Sequence, residues 1–134
     1  VMEVVNSQLP QFVGYCWELL CRNYVSGNVI DGIIYNLASR WWGKIFPPDC
    51  KEGKMIELDV VAESLDKKHI LIGECKWTHD NDADRLMDVL AEKAKYLPFV
   101  KRGQEVHLVL FLKESPRKMT KEMKIILPED VIKA

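Results

Sequence analysis

No stretch of the chain reaches the roughly 18 uninterrupted apolar residues that a membrane helix needs, and no basic, apolar and small-residue leader opens it. A soluble, cytoplasmic protein with no membrane partner is the expectation. Also missing is any Cys-x-x-Cys pair. Cys16, Cys21, Cys50 and Cys75 stand apart, without matching histidine spacing, so neither a zinc site nor a disulfide framework is indicated, and reduced thiols are expected. A strong charge of either sign is absent too: the formal net charge is −1, so the chain as a whole does not attract a polyanion. Finally, no GxxxxGK[ST] phosphate loop occurs, and an ATP site of that kind would have to lie outside this chain.

What is present is an ordinary globular composition. The chain has 134 residues, 48% of them hydrophobic and 29% charged, which suits one domain over 1–134 with a sizeable core. The near-neutral sum hides a division. Residues 51–90 carry six basic and ten acidic side chains, and residues 91–134 carry ten basic and six acidic. Such a division suits a basic surface beside an acidic pocket, and equally a scatter of solvated charge. Val1 rather than Met stands first, so the expectation is a domain whose parent continues upstream.

Residues 6–25 place Leu9, Phe12, Val13, Cys16, Trp17, Leu20, Cys21 and Tyr24 at helical intervals, with Pro10 near the start and Ser-Gly-Asn after the end. An irregular or extended piece precedes a strand over 38–46, which ends at Pro47-Pro48. "KMIELDVVAES" alternates as a strand and "DKKH" turns it back into "HILIGECKW", an antiparallel hairpin. A helix over 82–97 should follow, with Asp82 and Asp84 at its N-terminus and Leu86, Val89, Leu90, Ala94 and Leu97 on one side. "EVHLVLFLKES" is apolar almost throughout, the mark of a central strand covered on both faces. "PRKMTKEMK" reads as a loop or short helix, and "IILPEDVIKA" as a last short strand and tail.

The strand "HILIGECKW" alternates Ile70, Ile72, Glu74 and Lys76 against Leu71, Gly73, Cys75 and Trp77. One of its faces is apolar first and charged afterwards, which places Glu74 and Lys76 at the rim of a core. Its partner interrupts an apolar strand in the same way, with Glu57 and Asp59 between Ile56, Leu58, Val60 and Ala62, which should line one face. Across a hairpin Asp59 and Glu74 can approach, with Lys76 on the same side. Carboxylates brought together repel, and a divalent cation with oxygen ligands, Mg²⁺ or Mn²⁺, relieves the repulsion. An ammonium beside them can orient or help deprotonate an attacking water, or stabilise charge on a phosphoryl oxygen. That is the chemistry of phosphodiester hydrolysis. The alternative from the residues alone is a salt bridge at a strand end.

Asp59, fourteen intervening residues and then Glu74-Cys75-Lys76 resemble the PD-(D/E)xK motif of the restriction-endonuclease-like nucleases, with Leu58 in place of the proline. The resemblance implies an α/β fold, a restriction-endonuclease-like core ordered α-β-β-β-α-β with a mixed central sheet flanked by helices. "QFVGYCWELLCRNYV", "SRWWGK", "IELDVVAES" and "ILIGECKW" are more closely similar to the uncharacterised domain that follows the nucleotide-binding module in archaeal-type ATPases, which bacteria also possess. Taken together, the resemblances imply Asp59 and Glu74 as metal ligands, Lys76 as catalytic lysine, Glu18 as a further acidic residue and the carbonyl of Cys75 as an additional metal donor. They also imply nucleic acid, with DNA favoured, and an upstream ATPase domain as partners. A catalytically inactive nucleic-acid-binding or regulatory module is the alternative.

Other residues have two readings. Trp41 and Trp42 suit core packing or stacking on bases. His79 and Asp80 suit loop polarity or a place in the same pocket. Lys93, Lys95, Lys101 and Arg102 suit a solvated face or contacts to phosphates.

Overall fold

The computed structural model describes residues 2–79 and 82–133, with side chains from residue 10 onward. A long helix α1 (Met2–Val25) leads into two short strands, β1 (Val29–Ile30) and β2 (Ile33–Ile34), and then β3 (Ser39–Ile45), β4 (Lys54–Glu63) and β5 (His69–Lys76). Helix α2 (Ala83–Ala94), β6 (Glu105–Leu112), β7 (Lys124–Ile126) and α3 (Pro128–Lys133) complete the order. The "irregular piece" before the third strand is therefore a β1–β2 hairpin. Its turn is Asp31-Gly32, both with positive φ, 51° and 80°, as a two-residue hairpin turn requires. The C-terminal "tail" is the short helix α3.

A mixed sheet of five strands in the order β3-β4-β5-β6-β7 forms the centre. β3–β4 and β4–β5 are antiparallel, whereas β5–β6 and β6–β7 are parallel. A parallel pair cannot be joined by a tight turn, and α2 supplies the crossover from β5 to β6. The helices cover opposite faces. Trp17, Cys21 and Val25 of α1 pack with Val60, Leu71, Cys75, Val109 and Phe111. Ala83, Met87 and Leu90 of α2 pack with Ile56, Leu58, Ile70, Ile72, Leu110 and Leu112. β6 contributes alternate residues to both cores, which is why its sequence is apolar almost throughout. Among the described residues no helix is long and apolar enough to cross a membrane.

Three details of the sequence reading change. Ile56 and Leu58 belong to the α2 core but Val60 and Ala62 to the α1 core, so the four do not share a face. The reason is a bulge. Ser39 pairs with Val61 and Trp41 with Leu58, so β4 spends one extra residue against β3 and its alternation flips. On α1, only part of the apolar pattern is buried. Phe12 and Leu20 stay 63% and 50% exposed, because apolar residues occupy two sides of the helix and one sheet covers one of them. On α2, Val89 is exposed and Met87 takes its place in the buried stripe. The helix is shorter than expected and starts from Asp82, whose side chain accepts a hydrogen bond from the Arg85 N–H as an N-cap.

Candidate acidic site

The β4–β5 ladder pairs Glu63 with Ile70 and runs as far as Val60 with Gly73. Asp59 and Glu74 would be the next pair, and there the regular ladder stops. The Asp59 carboxylate Oδ2 accepts a hydrogen bond from the backbone N–H of Cys75 at 2.9 Å. A side chain of β4 thus bonds the backbone of β5 where the two strands part. From above the sheet, Arg22 of α1 donates from Nη1 to the Asp59 carbonyl at 2.9 Å. Both groups of Asp59 are thereby held, its carbonyl by a helix and its carboxylate by a strand.

Glu18 lies one turn before Arg22 on α1 and reaches the same place. Burial and then the charge and hydrogen bonding of Asp59 push the Glu18 carboxyl above its ordinary range, with Arg22 and Arg40 opposing. Glu74 is affected more strongly. Burial, followed by the Asp59 charge, raises its pKa to about 7, with Glu18 adding to the rise and Lys93 and Lys76 opposing it. Three half-buried carboxylates from α1, β4 and β5 therefore feel one another in a partly desolvated corner. Lys76 follows at the end of β5, exposed but close enough to Glu74 to favour its ionised form. The thiol of Cys75 is buried in the α1 core, where hydrogen bonding to Cys21 and burial push it above the usual thiol range. The charges of Asp59 and Glu18 add to the rise.

The expected phosphate-contacting residues do not stay together. Lys93 of α2 joins the acidic corner: its Nζ donates to the Glu57 carbonyl at 3.3 Å, and its charge opposes the rise at Glu74. Lys95 pairs with Glu92 at 2.9 Å on the exposed side of the helix end. Lys101 and Arg102 fall in the turn before β6, which starts beside His69. Glu74 pairs farther along, with Leu110, so those two basic residues sit at the other end of the sheet. Trp41 packs edge-on against Phe99, ring centroids 5.1 Å apart. Trp42 is 62% exposed, with the Arg40 guanidinium 5.5 Å from its ring centre. Arg40 also pairs with Glu57 at 3.2 Å.

His79 is exposed and contacts Glu114 and the Lys113 ammonium, each at 3.1 Å. It lines a cavity of about 750 Å³ with Asp82, Asp84, Arg117 and Lys118, and none of the three clustered carboxylates belongs to that lining. Asp80 lies outside the described residues. Arg22 and Arg40 were not among the residues expected at this site. Arg22 was detectable, since it stands four residues after Glu18 on a helix and so shares its face. Arg40 had no local signal.

The acidic corner offers hard oxygen donors, which suit Mg²⁺ or Mn²⁺ more than softer ions. Its members are not a tight ligand set. Among the described residues, the group whose ligand atoms all lie within 4.8 Å of one another is His69, Glu105 and His107, at the start of β5 and β6.

No curated protein and no solved structure matches the chain. A family match covers residues 1–89, from α1 into α2, and so includes Glu18, Asp59, Glu74, Cys75 and Lys76. The chain belongs to that family, DUF234, described as archaeal and bacterial proteins of unknown function.

Proposed function

We propose that the chain is a metal-dependent nuclease domain of the restriction-endonuclease-like type, acting on DNA and attached to an upstream ATPase. The observation that carries this reading is the meeting of Glu18, Asp59 and Glu74 at the parted end of the β4–β5 hairpin, with Lys76 alongside. The order α1-β3-β4-β5-α2-β6 supports it, with the β1–β2 hairpin as an insertion. Charge supports it too. Two of the three carboxylates are driven above their ordinary pKa, and a cation held by Asp59, Glu74 and the Cys75 carbonyl, with Glu18 beside them, would relieve that repulsion. Bound Mg²⁺ would supply charge neutralisation on a phosphoryl oxygen and activate water.

The chain's own groups do the rest. Asp59 is fixed by the Cys75 N–H, so its free oxygen lone pairs keep one direction. Glu74, whose carboxyl is raised by burial and by the Asp59 charge, would be held ionised as a ligand of the cation. The Lys76 ammonium stabilises negative charge that grows on the phosphate in the transition state.

The test is incubation of the domain with single- and double-stranded DNA and RNA, with Mg²⁺ or Mn²⁺, beside Lys76→Ala. Loss of cleavage by about 100-fold or more in Lys76→Ala, with folding and most nucleic-acid affinity intact, is the expected result. Cleavage that survives unchanged puts the active site elsewhere. A second reading, an inactive nucleic-acid-binding or regulatory module, draws on the looseness of the carboxylate group. It predicts binding without turnover in wild type and variant alike.

A further inference from the structure

At the opposite end of the sheet, side chains from two strands distant in sequence aim at one point. His69 opens β5, and Glu105 and His107 open β6. The parallel register sets His69 beside Glu105 and Leu71 beside His107, so all three project on the face that Leu71, Val109 and Phe111 share with α1. His69 Nδ1 lies 2.9 Å from His107 Nε2. It is 3.7 Å from Glu105 Oε2, and His107 Nε2 is 4.0 Å from Glu105 Oε1.

We propose that His69, Glu105 and His107 form a binding site for a divalent transition-metal ion, with Zn²⁺ as its natural occupant. Donors at about 2.0–2.2 Å from a tetrahedral ion stand roughly 3.3–3.6 Å apart, and the three separations here bracket that spacing. A hydrogen-bond network explains the arrangement less well. One imidazole can donate to the other, but the carboxylate stands beyond hydrogen-bond reach of both ring nitrogens it faces. Two imidazole nitrogens and one carboxylate oxygen are borderline donors, which favour Zn²⁺ over Mg²⁺. The site is therefore chemically distinct from the all-oxygen corner around Asp59.

The surroundings suit a cation. Tyr35 is buried nearby, and the negative charges of Asp31, Glu105 and Asp66 all act on it. Three protein ligands leave a fourth position open, as in catalytic rather than structural zinc sites. A cavity of about 230 Å³ adjoins it, lined by His69, Asp66, Ser64 and the β1–β2 hairpin, which has room for water. The ion would tie the starts of β5 and β6 together independently of any nuclease chemistry.

Calorimetric titration of the apo chain with Zn²⁺, and separately with Mg²⁺ and Co²⁺, tests the proposal. One Zn²⁺ per chain is expected at this site, together with the intense visible absorption of four-coordinate Co²⁺. His107→Ala should abolish both. Glu105→Gln, at an exposed position, should weaken Zn²⁺ by more than about 100-fold, beyond the roughly 10- to 100-fold range typical of losing an outer-sphere partner. Asp59→Asn should leave Zn²⁺ affinity unchanged. The proposal is overturned if wild type binds no Zn²⁺, or if both His107→Ala and Glu105→Gln bind it with wild-type stoichiometry and affinity.

Discussion

The carboxylate of Asp59 accepts a hydrogen bond from the backbone N–H of Cys75, 2.9 Å away, and this bond stands where the β4–β5 ladder has ended at Val60 and Gly73. Asp59 therefore has two roles, closing the strand end and contributing charge to the acidic corner. The two are separable by substitution. Asp59→Asn keeps an oxygen acceptor for the Cys75 N–H and removes the charge, so stability without metal should be unchanged or higher. Asp59→Ala removes the acceptor as well and should be less stable than Asp59→Asn by about 1–3 kcal/mol, the cost of a stranded donor. The wild type should gain melting temperature from millimolar Mg²⁺, and neither variant should. Equal stability of the two variants in urea titrations would show that the bond contributes nothing.

Glu74 makes stability fall as pH rises. Its folded pKa, about 7, exceeds the ordinary 4.5, so between those values the native state binds more protons than the unfolded one. The contribution is fully present below 4.5 and is lost as pH rises through the folded value, with a ceiling of about 1.4 kcal/mol per pH unit. Glu18, raised for the same reasons, acts in the same direction. Urea midpoints near pH 5 and near pH 7.5, measured in chelator, should show the decline in wild type and a flatter profile in Glu74→Gln. Added Mg²⁺ should restore stability at the higher pH, because a cation favours the ionised form. An identical pH profile in Glu74→Gln would place the titrating group elsewhere.

Gly73, just before the acidic residue of β5, is required by packing. A Cβ there would stand 2.6 Å from the Phe111 ring and 3.1 Å from the Val60 Cβ. Both neighbours are fully buried, so neither can give way freely. Gly73→Ala should lower stability by about 1–3 kcal/mol through overpacking. It should also disturb the Asp59–Cys75 contact two residues on, readable as a weaker Mg²⁺ response. A variant with wild-type stability would show that β6 has room to shift.

Much of this architecture was legible in the sequence because it depends on local periodicity. The hairpin of β4 and β5, the apolar run of β6 and the helix around Trp17 each carry their pattern within a dozen residues. The Asp31-Gly32 turn is local as well, since Asp-Gly is a two-residue hairpin signal. Glu74 and Lys76 could be placed at a core rim because apolar residues precede them on the same strand face.

What the sequence could not decide were matters of register between segments distant in the chain. The extra residue that flips the face of β4 exists only against β3, and nothing within "IELDVVAES" marks it. Arg22 and Lys93 enter the acidic corner because α1 and α2 cross opposite faces of one sheet at that end. Lys101 and Arg102 share their charge and stretch of sequence but are carried away from it by the turn into β6. His69 and His107, 38 residues apart, meet only through a parallel pairing. Local side-chain preferences determine the elements, but burying both faces of the sheet at once determines how the elements align, and alignment decides which charges become neighbours.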